Sequence, residues 1–173
     1  IVGNGPMNAV GEDAPWAEYA DQITSVNVGQ GVSTIGNNAF KGLTNLSEVI
    51  LPDSLESIGK SAFEGTSSLA KIQIPASVQN LESRAFADSG LQQIEFAGQL
   101  PQAAGDVFSG VTATAVIPCD ATVKAMGGEI TWQQGHDYQP SGEKLVCMNI
   151  LIMSRIYLQN LVLDAIAHGY KDF

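Results

Sequence analysis

Apolar positions along this chain repeat on two length scales. At short range, residues 25–28, 48–51, 71–74, 93–96 and 114–117 largely alternate polar with apolar side chains. That period of two predicts five short, half-buried β-strands. Pro52, Pro75 and Pro118 follow three of them directly, and a residue without an N–H ends a hydrogen-bonded ladder. At longer range the same residues return every 23 positions: Ala39-Phe40, Ala62-Phe63 and Ala85-Phe86; Ile35, Ile58 and Leu81; Val32, Leu55 and Val78. A fourth, thinner copy carries Leu100, Ala103 and Phe108, with Phe108 arriving 22 residues after Phe86. The lost residue falls between Phe86 and Leu91, since the step from Phe63 to Leu69 is one longer.

One 23-residue period cannot bury its own Ile, Phe and Leu set, whereas stacked periods can. The repeat therefore predicts a solenoid in which like positions form columns. These are Ile23/Leu46/Leu69/Leu91, Val26/Val49/Ile72/Ile94, Val28/Leu51/Ile74/Phe96 and a ladder of Phe40, Phe63, Phe86 and Phe108. Small Ala39, Ala62 and Ala85 beside each ring permit close approach of adjacent coils. The rest of each period is rich in Gly, Ser and Asn and reads as turns, too short and broken for a long helix.

Composition removes several classes of function. Eight Lys and Arg against 18 Asp and Glu give a formal net charge of −10, the wrong sign for nucleic acid or an anionic membrane surface. With 45% hydrophobic residues the chain is too apolar for disorder. Two cysteines exclude a disulfide-dense scaffold and a four-cysteine zinc site. No phosphate-binding glycine loop, zinc-protease helix or calcium loop is spelled out, and the histidines are His136, in a polar stretch, and His168. No catalytic residues, metal ligands or cofactor are assigned, and the chain reads as non-enzymatic.

Segments such as LSEVILPDSLESIGKSAFEGTSSL and LAKIQIPASVQNLESRAFADSGL resemble the BspA-like leucine-rich repeats, whose pattern runs close to Leu-x-x-Val/Ile-x-Ile-Pro-x-Ser-Val-x-x-Ile-Gly-x-x-Ala-Phe-x-Gly. The resemblance covers roughly Pro15 to Trp132, with Leu81-Glu82 in place of Ile-Gly and Ala103-Ala104-Gly105 thinning the fourth copy. It implies a leucine-rich-repeat right-handed coil with one short parallel β-sheet and irregular, turn-rich other faces. The expected layout is a lead-in over 1–22, a solenoid of four to five coils over 23–132, a linker over 133–144 and a C-terminal helix over 145–173. The family occurs on bacterial cell surfaces and in secreted proteins. The resemblance thus implies an extracellular recognition or adhesion module for a protein or glycan partner on host, matrix or neighbouring cell, with virulence as a common association. Residues 1–10 have neither a basic nor an apolar region and do not read as a signal peptide.

Side chains alternating with the core columns face outward. They form two rows: Ser25, Glu48, Lys71, Gln93 and Thr114, then Asn27, Ile50, Gln73, Glu95 and Val116. These ten are the candidate binding residues; a merely solvated sheet face is the competing account. The rows hold no Tyr, Trp or Arg, the usual anchors of a hot spot. A patch five strands wide and four residues long covers about 250 Å², well short of the roughly 800 Å² per partner of a standard interface.

The tail, 145–167, is long enough to span a bilayer. Arg155 and Asp164, at roughly 2.5–3.5 kcal/mol each near the bilayer centre, favour instead an amphipathic helix with Cys147, Leu151, Leu158, Leu161 and Ala165 on one face. Such a helix serves to cap the open end of the solenoid, to dimerise with a second chain as part of a structural spacer or self-association module, or as a segment foreign to the repeats. Cys119 and Cys147 either pair or stay as separate thiols.

Overall fold

The computed structural model describes residues 1–8, 14–118, 121–123 and 125–134. The C-terminal helix expected over 145–173, most of the expected linker, and Cys119 and Cys147 fall outside the described residues. In chain order the strands are β1 (Gly5–Pro6), β2 (Ser25–Asn27), β3 (Val32–Ile35), β4 (Glu48–Ile50), β5 (Ser57–Ile58), β6 (Lys71–Ile74), β7 (Asn80–Leu81), β8 (Gln93–Phe96), β9 (Gln102–Ala103), β10 (Thr112–Ile117) and β11 (Glu129–Gln134). A short 3-10 turn, Ala17–Gln22, precedes β2. Every strand pairing is parallel, and most join a residue to its equivalent one period on, as in Val26 with Val49 and Ile58 with Leu81.

The sheet read from the alternation is present, built from β2 and β4, then β6, β8, β10 and β11. Two features differ from the sequence reading. The other faces are not all irregular: a second parallel sheet of five strands, ordered β1-β3-β5-β7-β9, runs along the stack. Four of its strands are two residues long, too short to show a period of two. And β11 runs to Gln134, two residues into the segment read as linker.

The aromatic ladder is one continuous spine. Phe40, Phe63, Phe86 and Phe108 stack with centroid separations of 5.1, 5.2 and 5.6 Å, all four rings fully buried. The turns carrying them are hydrogen-bonded from coil to coil: Asn38, Phe40 and Gly42 N–H donate to the carbonyls of Lys60, Ala62 and Glu64, and Ser61, Phe63 and Gly65 repeat the pattern onto Ser83, Ala85 and Ala87. Alternate donors point the same way because the residues two before Phe40, Phe63 and Phe86, and those two after all four rings, sit in the left-handed region. Asn38, Ser61 and Arg84 have φ of 54–58°, while the second position is Gly42, Gly65 or Gly110, and Asp88 in the third coil. This explains the glycine after the Ala-Phe pair, since L side chains favour other backbone regions.

Both ends of the spine are closed by residues outside the phenylalanine column. Trp16 stacks on Phe40 at 5.7 Å, and its indole Nε1–H donates to the Ala39 carbonyl at 2.9 Å, as a preceding phenylalanine amide would. At the other end the Phe108 N–H donates to the carbonyl of buried Met126 at 2.9 Å. The departure Leu81-Glu82 is also accommodated: the Glu82 carboxylate reaches back one coil to accept the Lys60 N–H at 3.1 Å, beside Asn37 Oδ1 at 2.9 Å.

Candidate functional site

The strand alternation sends one set of side chains into the core and the other outward, and register decides which outward residues become neighbours. Ser25 lies opposite Glu48 and Asn27 opposite Ile50. Lys71 lies opposite Gln93 and Gln73 opposite Glu95, and these continue to Thr114 and Val116. All ten residues of the two rows thus lie on one side of their strands in the expected pairs. Seven are exposed, and Glu95, Thr114 and Val116 are half-buried. β11, which sequence reasoning read only as a closing segment, adds Thr131 beside Thr114 and Gln133 beside Val116, with Glu129 beside Thr112. Its signal was the alternation of Ile130 and Trp132 with polar neighbours. Trp132 stacks on Phe96 at 6.1 Å on the inner side, opposite small, buried Ala115.

The face carries the carboxylates of Glu48, Glu95 and Glu129 and the single amine of Lys71. Ile50 stands among the polar side chains with half of its surface exposed. A shallow hollow of about 410 Å³ on the same face is lined by Lys71, Gln92, Gln93, Thr114, Val116 and Gln133. These amide, hydroxyl and ammonium groups can donate and accept hydrogen bonds, but they include neither a nucleophile–base pair nor an acid–base pair. Among the described residues, no group of three His, Cys, Asp or Glu is placed to hold a metal ion, and no helix is long and apolar enough to cross a membrane. A second hollow lies at the first coil beside Trp16, Lys41 and Leu43.

A separate charged cluster runs along the Ala-Phe turns. Arg84 bridges Glu64 at 3.1 Å and Asp88 at 2.8 Å, and Lys41 approaches Glu64 at 3.5 Å. The Arg84 hydrogen bond, helped by the Ser61 hydroxyl and the Lys41 charge against partial burial, holds the Glu64 carboxyl down from 4.5 to about 2. A carboxyl depressed on folding stabilises the folded state above its unfolded value, and that contribution is lost as pH falls through the folded value. Wild-type protein is therefore expected to lose stability between pH 4.5 and 2 more steeply than Glu64→Gln, as read from urea midpoints across that range.

The comparisons with known proteins agree with this architecture. A family model described as the BspA type leucine-rich repeat region matches residues 17–130 in six copies. The chain belongs to the BspA-type leucine-rich-repeat family. No curated protein matches. Among solved structures, the crystal structure of a leucine-rich repeat protein from Eubacterium ventriosum ATCC 27560 is similar at 24% identity with a TM-score of 0.52. The match covers 79% of this chain and 35% of that one, so this BspA-type chain spans about a third of the length of its structural neighbour, and the likeness concerns the fold. A BspA-type leucine-rich repeat is a protein-interaction fold, and its bacterial members are typically cell-surface or secreted proteins.

Proposed function

We propose that this BspA-type chain is a non-catalytic extracellular recognition module that binds a protein partner through the outer face of the sheet formed by β2, β4, β6, β8, β10 and β11. The observation that carries this reading is that ten outward side chains form two rows, in register within the β2–β4 pair and within the β6–β8–β10 ladder. They lie outside the core columns, and repeat proteins use such continuous surfaces for binding. The amide-rich composition gives many adaptable hydrogen-bonding groups, and the absence of aromatic side chains from the two rows argues against a sugar-stacking platform. With β11 included the patch grows only to about 300 Å². The sheet alone therefore suits the weak, transient end of interface sizes, and flanking loops must add area for tighter binding.

The test is a screen of the intact chain against immobilised extracellular-matrix proteins and glycans, repeated with the double variant Gln73→Arg/Gln93→Arg. Both glutamines are exposed, so the fold is retained while two bulky cations enter the face. The expected result is a protein hit whose affinity falls on the order of tenfold or more in the variant. Unchanged binding by the variant removes this face as the site, and glycan-only binding removes the choice of protein.

A further inference from the structure

The sheet that carries the candidate face is interrupted once. β2 pairs with β4, and β6, β8, β10 and β11 form one ladder, but β4 and β6 are not paired. The rest of the stack crosses this step intact: β3, β5 and β7 are consecutive in the second sheet, and Phe63 stacks on both Phe40 and Phe86. The break is local to the binding face. The flanking steps show what is missing: the Ser47 and Glu48 N–H donate to the Thr24 carbonyl one coil earlier, and the Gln92 and Gln93 N–H donate to the Ala70 carbonyl one coil later. At the β4–β6 step the equivalent bonds from Ala70 and Lys71 to the Ser47 carbonyl are not made; the proline that follows β6, Pro75, is not the cause, since Pro52 holds the same place at the paired β2–β4 step.

Core cover is incomplete here. Val49 and Leu51 are only partly buried, while their column neighbours Val26, Ile72 and Ile94, and Val28, Ile74 and Phe96, are closed. Ile50, between them, is 50% exposed. Ile50 is thus reachable on the outer face beside two incompletely covered core-column residues, whereas the other apolar member of the rows, Val116, is half-buried. The charges around them are unequal: Glu48, Glu95 and Glu129 against Lys71 alone. Among the described residues the ion pairs are those of Lys41, Glu64, Arg84 and Asp88, so the face charges remain available to a partner.

Resting on the protein-binding reading above, we infer that the β4–β6 break is the docking centre of the face, and that its occupant is a protein segment presenting an apolar side chain flanked by Lys or Arg. The apolar group covers Ile50, and the flanking cations meet Glu48 and Glu95. Apolar contact at the centre with charge around it is the arrangement in which few residues carry most of the affinity, while the charges set partner choice and association rate.

The experiment pans random phage-displayed 12-residue peptides on the intact chain, then measures the enriched peptides, made synthetically, against wild type, Ile50→Lys and Lys71→Glu. The expected motif is an apolar residue with at least two neighbouring Lys or Arg. Affinity should fall on the order of tenfold or more with Ile50→Lys, rise with Lys71→Glu, and weaken as salt is raised. Both sites are exposed, so an unchanged melting temperature confirms that the variants remain folded. Peptides that lack basic residues, that bind Ile50→Lys as well as wild type, or that bind Lys71→Glu more weakly overturn the inference. If no peptide enriches while a matrix protein still binds and is lost in Gln73→Arg/Gln93→Arg, the face reading stands and the docking centre falls. Glycan-only binding removes both.

Discussion

Phe63→Ala is expected to lower stability by about 3–5 kcal/mol, which for a domain of this size moves the melting temperature by roughly 10–20 °C. The ring is completely buried, and it stacks at 5.1 Å on one side and 5.2 Å on the other. Truncation therefore removes the transfer free energy of a phenyl group and two ring contacts, and leaves a void that cannot collapse easily. The void's walls are held by backbone bonds from Phe63 N–H to Ala85 and from Phe40 N–H to Ala62, which keep neighbouring coils at their spacing. Because each repeat contacts only its neighbours, an interior loss weakens two interfaces at once. Chemical denaturation of the variant checks this, and a loss below about 1 kcal/mol is incompatible with a packed spine.

Gly90→Ala is expected to destabilise by about 2–3 kcal/mol, through overpacking rather than a void. Gly90 lies in the turn from which the third coil has lost one residue relative to the second. That shortened turn is drawn against the coil before it: Gly90 N–H donates to the Thr66 carbonyl at 3.1 Å. A Cβ at this position falls 2.7 Å from the Ser67 carbonyl carbon and closer still to its oxygen. Backbone, not a flexible side chain, is in the way, so relief requires shifting a coil. The same denaturation measurement applies, and Gly105→Ala is the control, since a Cβ there meets nothing within 4 Å.

Much of the fold was legible because the constraint is periodic. A 23-residue step that keeps Ile35, Ile58 and Leu81 or Phe40, Phe63 and Phe86 in phase leaves stacking as the arrangement that buries them together. The outward rows follow from the same alternation, so the face was legible too. What the residues concealed is short or relational. Two-residue strands such as Asn80–Leu81 carry no alternation, and their pairing is set by coils already stacked through the spine. The interruption between β4 and β6 is marked in the residues only by Ile50, which breaks the polar-apolar alternation on the β4 side. The missing bonds from Ala70 and Lys71 to the Ser47 carbonyl are a relation between coils that no residue type announces. The role of Trp16 was hidden because it substitutes for a column residue by an indole N–H and a ring, from a position outside the repeat.

The account rests on repeats packed one upon the next along a single aromatic column. Ring-proton NOEs in protein selectively labelled at phenylalanine test this directly. The account predicts cross-peaks linking Phe40 to Phe63, Phe63 to Phe86 and Phe86 to Phe108, and none linking Phe40 to Phe86. Isolated ring systems, or a contact that skips a coil, would contradict it.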